Sequence, residues 1–104
     1  MPIQTWANQS TFEYIGCVAT GTEILFGTGN SRMITSQQWQ NLRTNFLGQI
    51  VEIGTSRDNP PAGSMGEWFY RNVYDQALMS YVGVILVREG FAIRETDSTL
   101  RVIR

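Results

Sequence analysis

The segment Asp75–Gly90, DQALMSYVGVILVREG, is apolar at almost every position of its middle. Its length favours a helix over a strand, with Asp75 as the N-cap, Gln76–Glu89 as the helix and Gly90 just past its end. Apolar residues lie on both faces of this predicted helix: Leu78, Val82, Ile85 and Leu86 on one, and Met79, Tyr81, Val84 and Val87 on most of the rest. Such a helix must be covered on both sides.

The segments on either side of this helix predict a second helix and a hairpin. Before it, Ser64 and Glu67 have the spacing of a capping box, so a short helix should run from Met65 to about Asn72. After it, Phe91–Arg104 alternates apolar and polar residues about an Asp-Ser turn, which indicates a β-hairpin.

A third helix is predicted further upstream, in Met33–Gly48, MITSQQWQNLRTNFLG. Thr35 or Ser36 can cap it, and Gln38 stands three residues after Thr35, as in a capping box. Its buried face has the helical spacing of Trp39, Leu42, Phe46 and Leu47. The β-branched segment Gln49–Thr55 that follows predicts a strand.

The N-terminal third of the chain predicts a first hairpin. Thr11–Thr20 and Thr22–Thr28 are rich in aromatic and β-branched residues, and a short glycine-containing turn separates them. Gly27–Arg32, GTGNSR, is interpreted as a loop after this hairpin. The first ten residues precede it as an arm, for which Trp6 is the candidate anchor.

Together these elements predict a single α+β domain over residues 11–104, with residues 1–10 as an N-terminal arm. The predicted order is ββαβααββ, with two β-hairpins, one additional strand and three helices. A chain of 104 residues suits one such domain with a modest core.

Composition excludes several chemistries. The chain has no His, which removes His-activated nucleophiles and His metal ligands. Its nine Asp and Glu residues show no metal-ligand spacing, so we expect neither a metal nor a cofactor. Cys17, the one cysteine, is interpreted as a buried structural thiol. A single cysteine and the lack of an apolar run long enough to span a membrane favour a cytoplasmic location.

The low charge density predicts self-association. Charged residues make up 16% of the chain, and the net charge is −1. We therefore expect a homodimer that covers part of the surface, through the Met79, Val84 and Val87 face of the last helix. A winged helix-turn-helix is an alternative, because two helices followed by a hairpin have the right order. Nucleic acid is not an expected partner, since that helix has no basic residue before Arg88.

The candidate site is the loop and helix start at Thr55–Tyr70, TSRDNPPAGSMGEWFY, which a double proline stiffens. Its candidate ligand-binding residues are Arg57, Asp58, Glu67, Trp68 and Tyr70. Arg57 could hold a small anion, and Asp58 or Glu67 could act as an acid or base. Alternatively, these residues have only local structural roles, with Asp58 in a turn and Glu67 in the capping box. This interpretation argues against catalysis. We expect a binding module rather than an enzyme.

Three segments resemble a known group of proteins: GTSRDNPPAGSMGEW (Gly54–Trp68), ITSQQWQ (Ile34–Gln40) and SYVGVILVREGF (Ser80–Phe91). They are similar to small proteins encoded by mobile gene cassettes of bacterial integrons. The resemblance covers most of the chain between about Gly21 and Phe91. It implies a bacterial cytoplasmic accessory protein, often oligomeric and with no established activity, and it assigns no catalytic residue.

Overall fold

The computed structural model describes residues 2–56 and 59–104 of the chain. Its elements in chain order are β1 (Ile3–Gln4), β2 (Thr11–Cys17), β3 (Gly21–Phe26), β4 (Asn30–Ile34), α1 (Ser36–Phe46), β5 (Ile50–Glu52), α2 (Met65–Asn72), α3 (Met79–Arg88), β6 (Ala92–Arg94) and β7 (Thr99–Val102). The predicted α+β class with three helices is confirmed. Each of these helices is too short or too polar to cross a membrane.

The strands form two antiparallel sheets, β1-β2-β3-β4 and β5-β7-β6. Both predicted hairpins are confirmed, since β2 pairs with β3 through Tyr14 and Ile24, and β6 pairs with β7 through Ile93 and Arg101. The additional strand β5 joins the second hairpin on the free edge of β7. The middle of the chain and its C-terminus therefore share one sheet.

Two short strands extend the predicted order. β1 lies in the segment interpreted as an arm, and it pairs Ile3 with Phe12 of β2. β4 begins at Asn30, inside the segment interpreted as a loop, and it pairs along the whole of β3. The GTGNSR motif does contain a turn, because Gly27 and Gly29 both adopt positive φ angles. The turn takes up only part of the motif, so its last residues, 30–32, can pair with β3 as the start of β4.

The last helix, α3, begins later than its sequence pattern predicts. It starts at Met79 rather than Gln76, and its N-cap is Leu78, which makes no side-chain capping bond. Asp75 is therefore not the cap. The residues before Met79 make other hydrogen bonds: the Leu78 N–H donates to the Gln76 carbonyl, and the Gln76 side chain accepts from Arg32. These bonds compete with the formation of a helical turn at residues 76–78.

Helix α3 lies at the centre of the molecule, and the expectation that it is covered on both sides is confirmed. The Tyr81 ring packs on Phe12 and Phe26 of the first sheet, with ring centroids 5.0 and 5.2 Å apart. On another side, a Cβ on Gly83 would lie 2.3 Å from Cδ1 of Ile53, which follows β5. The absence of a side chain at Gly83 permits this close approach.

The N-terminal segment is part of the core, anchored by Trp6. This side chain is buried, and its backbone N–H donates to the Ser80 carbonyl of α3. Its indole N–H donates to the Asp97 carbonyl in the β6–β7 turn. The Arg94 guanidinium lies 4.0 Å from the centre of a Trp6 ring and donates to the Trp6 carbonyl. Trp6 thus joins the first strand to both α3 and the second sheet.

The two predicted capping boxes form to different extents. At α1, the Thr35 side chain accepts from the Gln38 N–H while the Gln38 side chain accepts from the Thr35 N–H, so the predicted box is confirmed. At α2, Ser64 caps the Glu67 N–H, but the Glu67 carboxylate accepts from the Gly63 N–H instead of from Ser64. The start of α2 is fixed in either case.

Candidate functional site

Of the five predicted ligand-binding residues, the structure describes three, and these three have different surroundings. Arg57 and Asp58 lie outside the residues that the structure describes. Glu67, Trp68 and Tyr70 all lie on α2, but their side chains have separate surroundings. Trp68 packs edge-on against Phe46 of α1, whereas Tyr70 lines an open cleft. Residues two apart on a helix point to nearly opposite sides, so Trp68 and Tyr70 cannot form one wall.

The start of α2 is poorly suited to an anion. The Gly66 N–H donates to the Ile53 carbonyl, and the Glu67 N–H donates to the Ser64 hydroxyl. The Trp68 N–H is also used within the first turn. In addition, the Glu67 carboxylate sits on the Gly63 N–H and lies 3.7 Å from Arg71. The favourable position near the positive end of the helix is thus taken by the chain's own carboxylate.

An open cleft of about 590 Å³ lies between the β3–β4 turn and the connection from α2 to α3. We call it the aromatic cleft, and it is lined by Phe26, Gly27, Asn30, Tyr70, Asp75, Gln76, Ala77, Leu78 and Tyr81. Its apolar surface comes from the stacked pair Phe26 and Tyr81 and from Tyr70, which is 42% exposed. Its polar surface comes from one carboxylate and two amide side chains. This combination is typical of small-molecule sites.

The polar side of the aromatic cleft is tied to β4 by two hydrogen bonds. Arg32 of β4 donates from Nε to the Gln76 side-chain oxygen at 2.6 Å. The Tyr74 hydroxyl donates to the Met33 carbonyl, also in β4. Both bonds join the α2–α3 connection to the first sheet. The cleft is therefore held open between two anchored walls rather than between loose loops.

A second depression of about 370 Å³ adjoins the aromatic cleft. The two share Phe26, Gly27 and Asn30 at the β3–β4 turn. The second depression is lined further by polar groups that include Glu13 and Ser31. These two residues and Leu25 form one row of the first sheet, on the face opposite to that of Ile24 and Phe26.

Sequence reasoning identified one wall of the aromatic cleft and missed the others. Tyr70 is among the predicted residues, but Asp75 is interpreted as a helix cap, Phe26 falls inside the first predicted hairpin, and Tyr81 is assigned to an apolar face of the last helix. A weak signal for them exists, because Phe26 directly precedes a glycine turn and Tyr81 is the one aromatic residue of an otherwise aliphatic helix. Nothing in their spacing indicates that they meet.

The predicted interface on α3 is only partly accessible. Met79 is 2% exposed and belongs to the core of its own chain, so it cannot contact a partner. Val84 and Val87 are half-buried beside Trp6 and Arg94. Arg88 is the one exposed residue of the helix. For the same reason α3 is badly placed to enter a DNA groove, which is what the winged-helix alternative requires.

Cys17 is not the buried thiol that its apolar neighbours suggested. It ends β2 beside the turn, is half-buried, and lies with its Sγ 3.1 Å from the Thr20 hydroxyl. Hydrogen bonds from the Thr20 side chain, and then from the Thr20 backbone, lower the pKa of the Cys17 thiol below its ordinary value. The thiolate therefore forms at lower pH than it does for an ordinary cysteine.

We predict that Cys17 is alkylated by iodoacetamide at lower pH than a thiol without these bonds. A lowered pKa means that the reactive thiolate appears earlier as pH rises. Thr20→Val removes the largest cause of the shift, so its rate-against-pH curve should move to higher pH. Thr44→Ala, at an exposed position near the C-terminal end of helix α1, is the control. Superimposable curves for wild type and Thr20→Val would contradict the assignment.

Comparisons with known proteins give no information about the site. No family model matches the chain, and searches of curated proteins and of solved structures also find no match. The similarity to integron cassette proteins stays a prediction. Within residues 2–56 and 59–104, no three His, Cys, Asp or Glu side chains are grouped so that they could hold a metal ion.

Proposed function

We propose that the chain is a ligand-binding module whose aromatic cleft binds a small polyhydroxylated molecule, such as a monosaccharide or a short saccharide. The observation that carries this proposal is the meeting of exposed aromatic surface with carboxylate and amide groups in one cleft. Tyr70 supplies the exposed ring, and Asp75, Gln76 and Asn30 supply the polar groups.

The chemistry of a saccharide matches these groups. Its C–H faces are apolar and can pack on a ring such as that of Tyr70. Its hydroxyls both donate and accept hydrogen bonds. The Asp75 carboxylate accepts only, whereas the Asn30 amide both donates and accepts, so together they can serve neighbouring hydroxyls.

The charge around the aromatic cleft favours a neutral ligand over the small anion expected from the sequence. The carboxylate that lines the cleft, that of Asp75, is acidic. Among the residues that the structure describes, Arg32 is a cation close to the cleft, and it donates to the side chain of Gln76 and to the carbonyl of Ser31. A free anion would meet like charge first and would have to compete for these donors.

Preorganisation supports binding as well. The hydrogen bonds from Arg32 to Gln76 and from Tyr74 to Met33 hold the α2–α3 connection in place before any ligand arrives. A site that is already ordered loses less conformational entropy when it binds. An open cleft of this kind is expected to bind a monosaccharide weakly.

The test is a titration of labelled protein with a panel of neutral saccharides, followed by amide chemical shifts. Shift changes should cluster at the β3–β4 turn and around Tyr70 and Asp75. Tyr70→Ala and Asp75→Asn should each weaken binding about tenfold, because each loses about 1.5 kcal/mol of contact. Arg71→Ala, which is exposed on the same helix but does not line the cleft, should bind as wild type does.

Two outcomes would reject the proposal. One is that no saccharide produces shift changes at the cleft at millimolar concentration. The other is that anionic metabolites bind in preference to neutral saccharides and that Asp75→Asn strengthens them. That second result would restore an anion as the ligand.

A further inference from the structure

A separate depression of about 210 Å³ lies where helix α3 meets the N-terminal segment and strand β6. We call it the basic pocket. Its apolar walls come from Trp6, Val84 and Val87, and Arg88 and Arg94 also line it. Of the described residues, none lines both the basic pocket and the aromatic cleft. What binds in one of these two places is therefore independent of what binds in the other.

The charge of the basic pocket is positive and uncompensated. Among the residues that the structure describes, those lining it include two arginines and neither Asp nor Glu, and neither arginine takes part in an ion pair. Glu89, which follows Arg88, accepts instead from the Val18 N–H. Glu95, which follows Arg94, pairs with a different arginine. The carboxylates closest in sequence are thus engaged elsewhere, and the pocket attracts an anion.

Arg94 is held in position before any ligand arrives. Its guanidinium lies 4.0 Å from the centre of a Trp6 ring and donates to the carbonyls of Trp6, Thr96 and Asp97. A guanidinium has five N–H groups, so these three bonds leave two N–H groups for a ligand. Because the side chain is already ordered, binding through it costs less conformational entropy.

Arg88 supplies the second charge, from the last residue of α3, where it is exposed. The titratable group beside it on the first sheet is Tyr14. Burial is the main cause that raises the pKa of Tyr14, so its hydroxyl carries no charge at neutral pH and does not neutralise Arg88. The carbonyls of the last turn of α3 accept from backbone N–H groups that follow the helix, which reduces their repulsion of an anion.

Two amide side chains add donors around the arginines. Gln4 and Asn8 both line the basic pocket and are exposed. Each amide has two N–H groups, whereas a carboxylate has about four positions that accept hydrogen bonds. The pocket therefore offers enough donors to satisfy both oxygens of one carboxylate.

We infer that the basic pocket binds a small monocarboxylate with a compact apolar body, such as an aromatic or branched aliphatic acid. Its carboxylate is held by Arg88 and Arg94, and its body packs on the apolar walls. The volume of about 210 Å³ is below the roughly 300–1,000 Å³ of pockets for drug-sized ligands, so the body has about one ring. A free phosphate ion fits less well, because valine side chains offer no donors to its remaining oxygens.

The first test titrates labelled protein with benzoate and with benzamide, its uncharged analogue. Benzoate should bind with a dissociation constant on the order of 1 mM, and benzamide at least tenfold more weakly, because benzamide lacks the charge-assisted hydrogen bonds. Chemical-shift changes should cluster at the indole N–H of Trp6 and at the backbone amides of Val84 and Val87.

The second test uses a matched pair of arginine variants. Arg88→Gln should weaken benzoate binding at least tenfold and bring its affinity close to that of benzamide, because a neutral amide replaces the guanidinium. Arg71→Gln changes an exposed arginine on α2 that does not line the pocket, and it should bind benzoate as wild type does. Circular dichroism checks that both variants are folded.

A third variant separates this inference from the function proposed above. Tyr70→Ala alters the aromatic cleft and should leave benzoate binding unchanged, so either proposal can fail without the other. The inference is overturned if benzoate causes no shift changes at the basic pocket up to about 50 mM. It is also overturned if benzamide binds as tightly as benzoate, or if Arg88→Gln and Arg71→Gln weaken benzoate binding equally.

Discussion

Gly66→Ala is expected to destabilise the protein by about 3 kcal/mol, at the upper end of the cost of overpacking. Gly66 lies in the first turn of α2, where its N–H donates to the Ile53 carbonyl at 2.9 Å. A Cβ at this position would lie 1.8 Å from the carbonyl oxygen of Gly54 and 2.8 Å from its carbon. The obstacle is backbone, so no side chain can turn aside to make room.

Urea unfolding of a series of variants would measure this effect. Gly83→Ala is the matched comparison, because Gly83 is also a buried helical glycine, but its new methyl group would lie 2.3 Å from Cδ1 of Ile53 and 3.1 Å from the Trp6 ring, with no backbone atom in the way. The Cδ1 atom is the end of a flexible side chain, so the cost should be clearly smaller. Arg71→Ala, exposed near the end of α2, should change the free energy of unfolding by less than about 1 kcal/mol. Equal effects at Gly66 and Gly83 would show that α2 can shift away from Gly54.

Trp6→Ala is expected to cost about 3–5 kcal/mol of unfolding free energy, as for other large aromatic residues removed from cores. Its ring packs beside Gly83 of α3 and under the Arg94 guanidinium. The substitution also leaves the Asp97 carbonyl without the indole N–H that it accepts. The variant should lose the docking of the N-terminal strand together with the cover of one side of α3.

Two further variants separate the parts of this effect. Trp6→Phe keeps an aromatic ring beside α3 but removes the hydrogen bond to Asp97, so it should cost less than Trp6→Ala. Gln9→Ala changes an exposed residue of the same segment and should be nearly neutral. Chemical denaturation followed by circular dichroism gives all three values. A loss below about 1 kcal/mol for Trp6→Ala would mean that Trp6 does not anchor the N-terminal segment to the core.

The aromatic cleft shows why only part of the site was predictable. Tyr70 could be predicted because it lies on α2, whose start is marked in the sequence by the Ser64 cap. Asp75 has a strong local interpretation as a cap, and that interpretation was wrong because Gln76 and Leu78 are held by other bonds. Phe26 comes from a different sheet hairpin altogether. No window of sequence contains the contacts that bring these three residues together.

The features that could be predicted from the sequence are those that depend on local interactions. The Thr35 and Gln38 capping box, the spacing of Trp39 and Leu42 on α1, and the alternating hairpins all depend on residues a few positions apart. The requirement that α3 be covered on both sides follows from its composition alone. These features need no partner of known position, so the pattern of residue types was sufficient to predict them.

The residues that cover α3 and the position of the cleft depend on long-range contacts, which are visible only in the tertiary structure. The indole of Trp6 donates to a carbonyl 91 residues away, and Arg32 donates to a side chain 44 residues away. Gly54 and Gly66 are close because β5 and α2 pack backbone to backbone. Such contacts are selected by the shape and packing of the whole core, in which each element's position depends on all the others. Residue types along the chain constrain that packing but do not specify which distant groups meet.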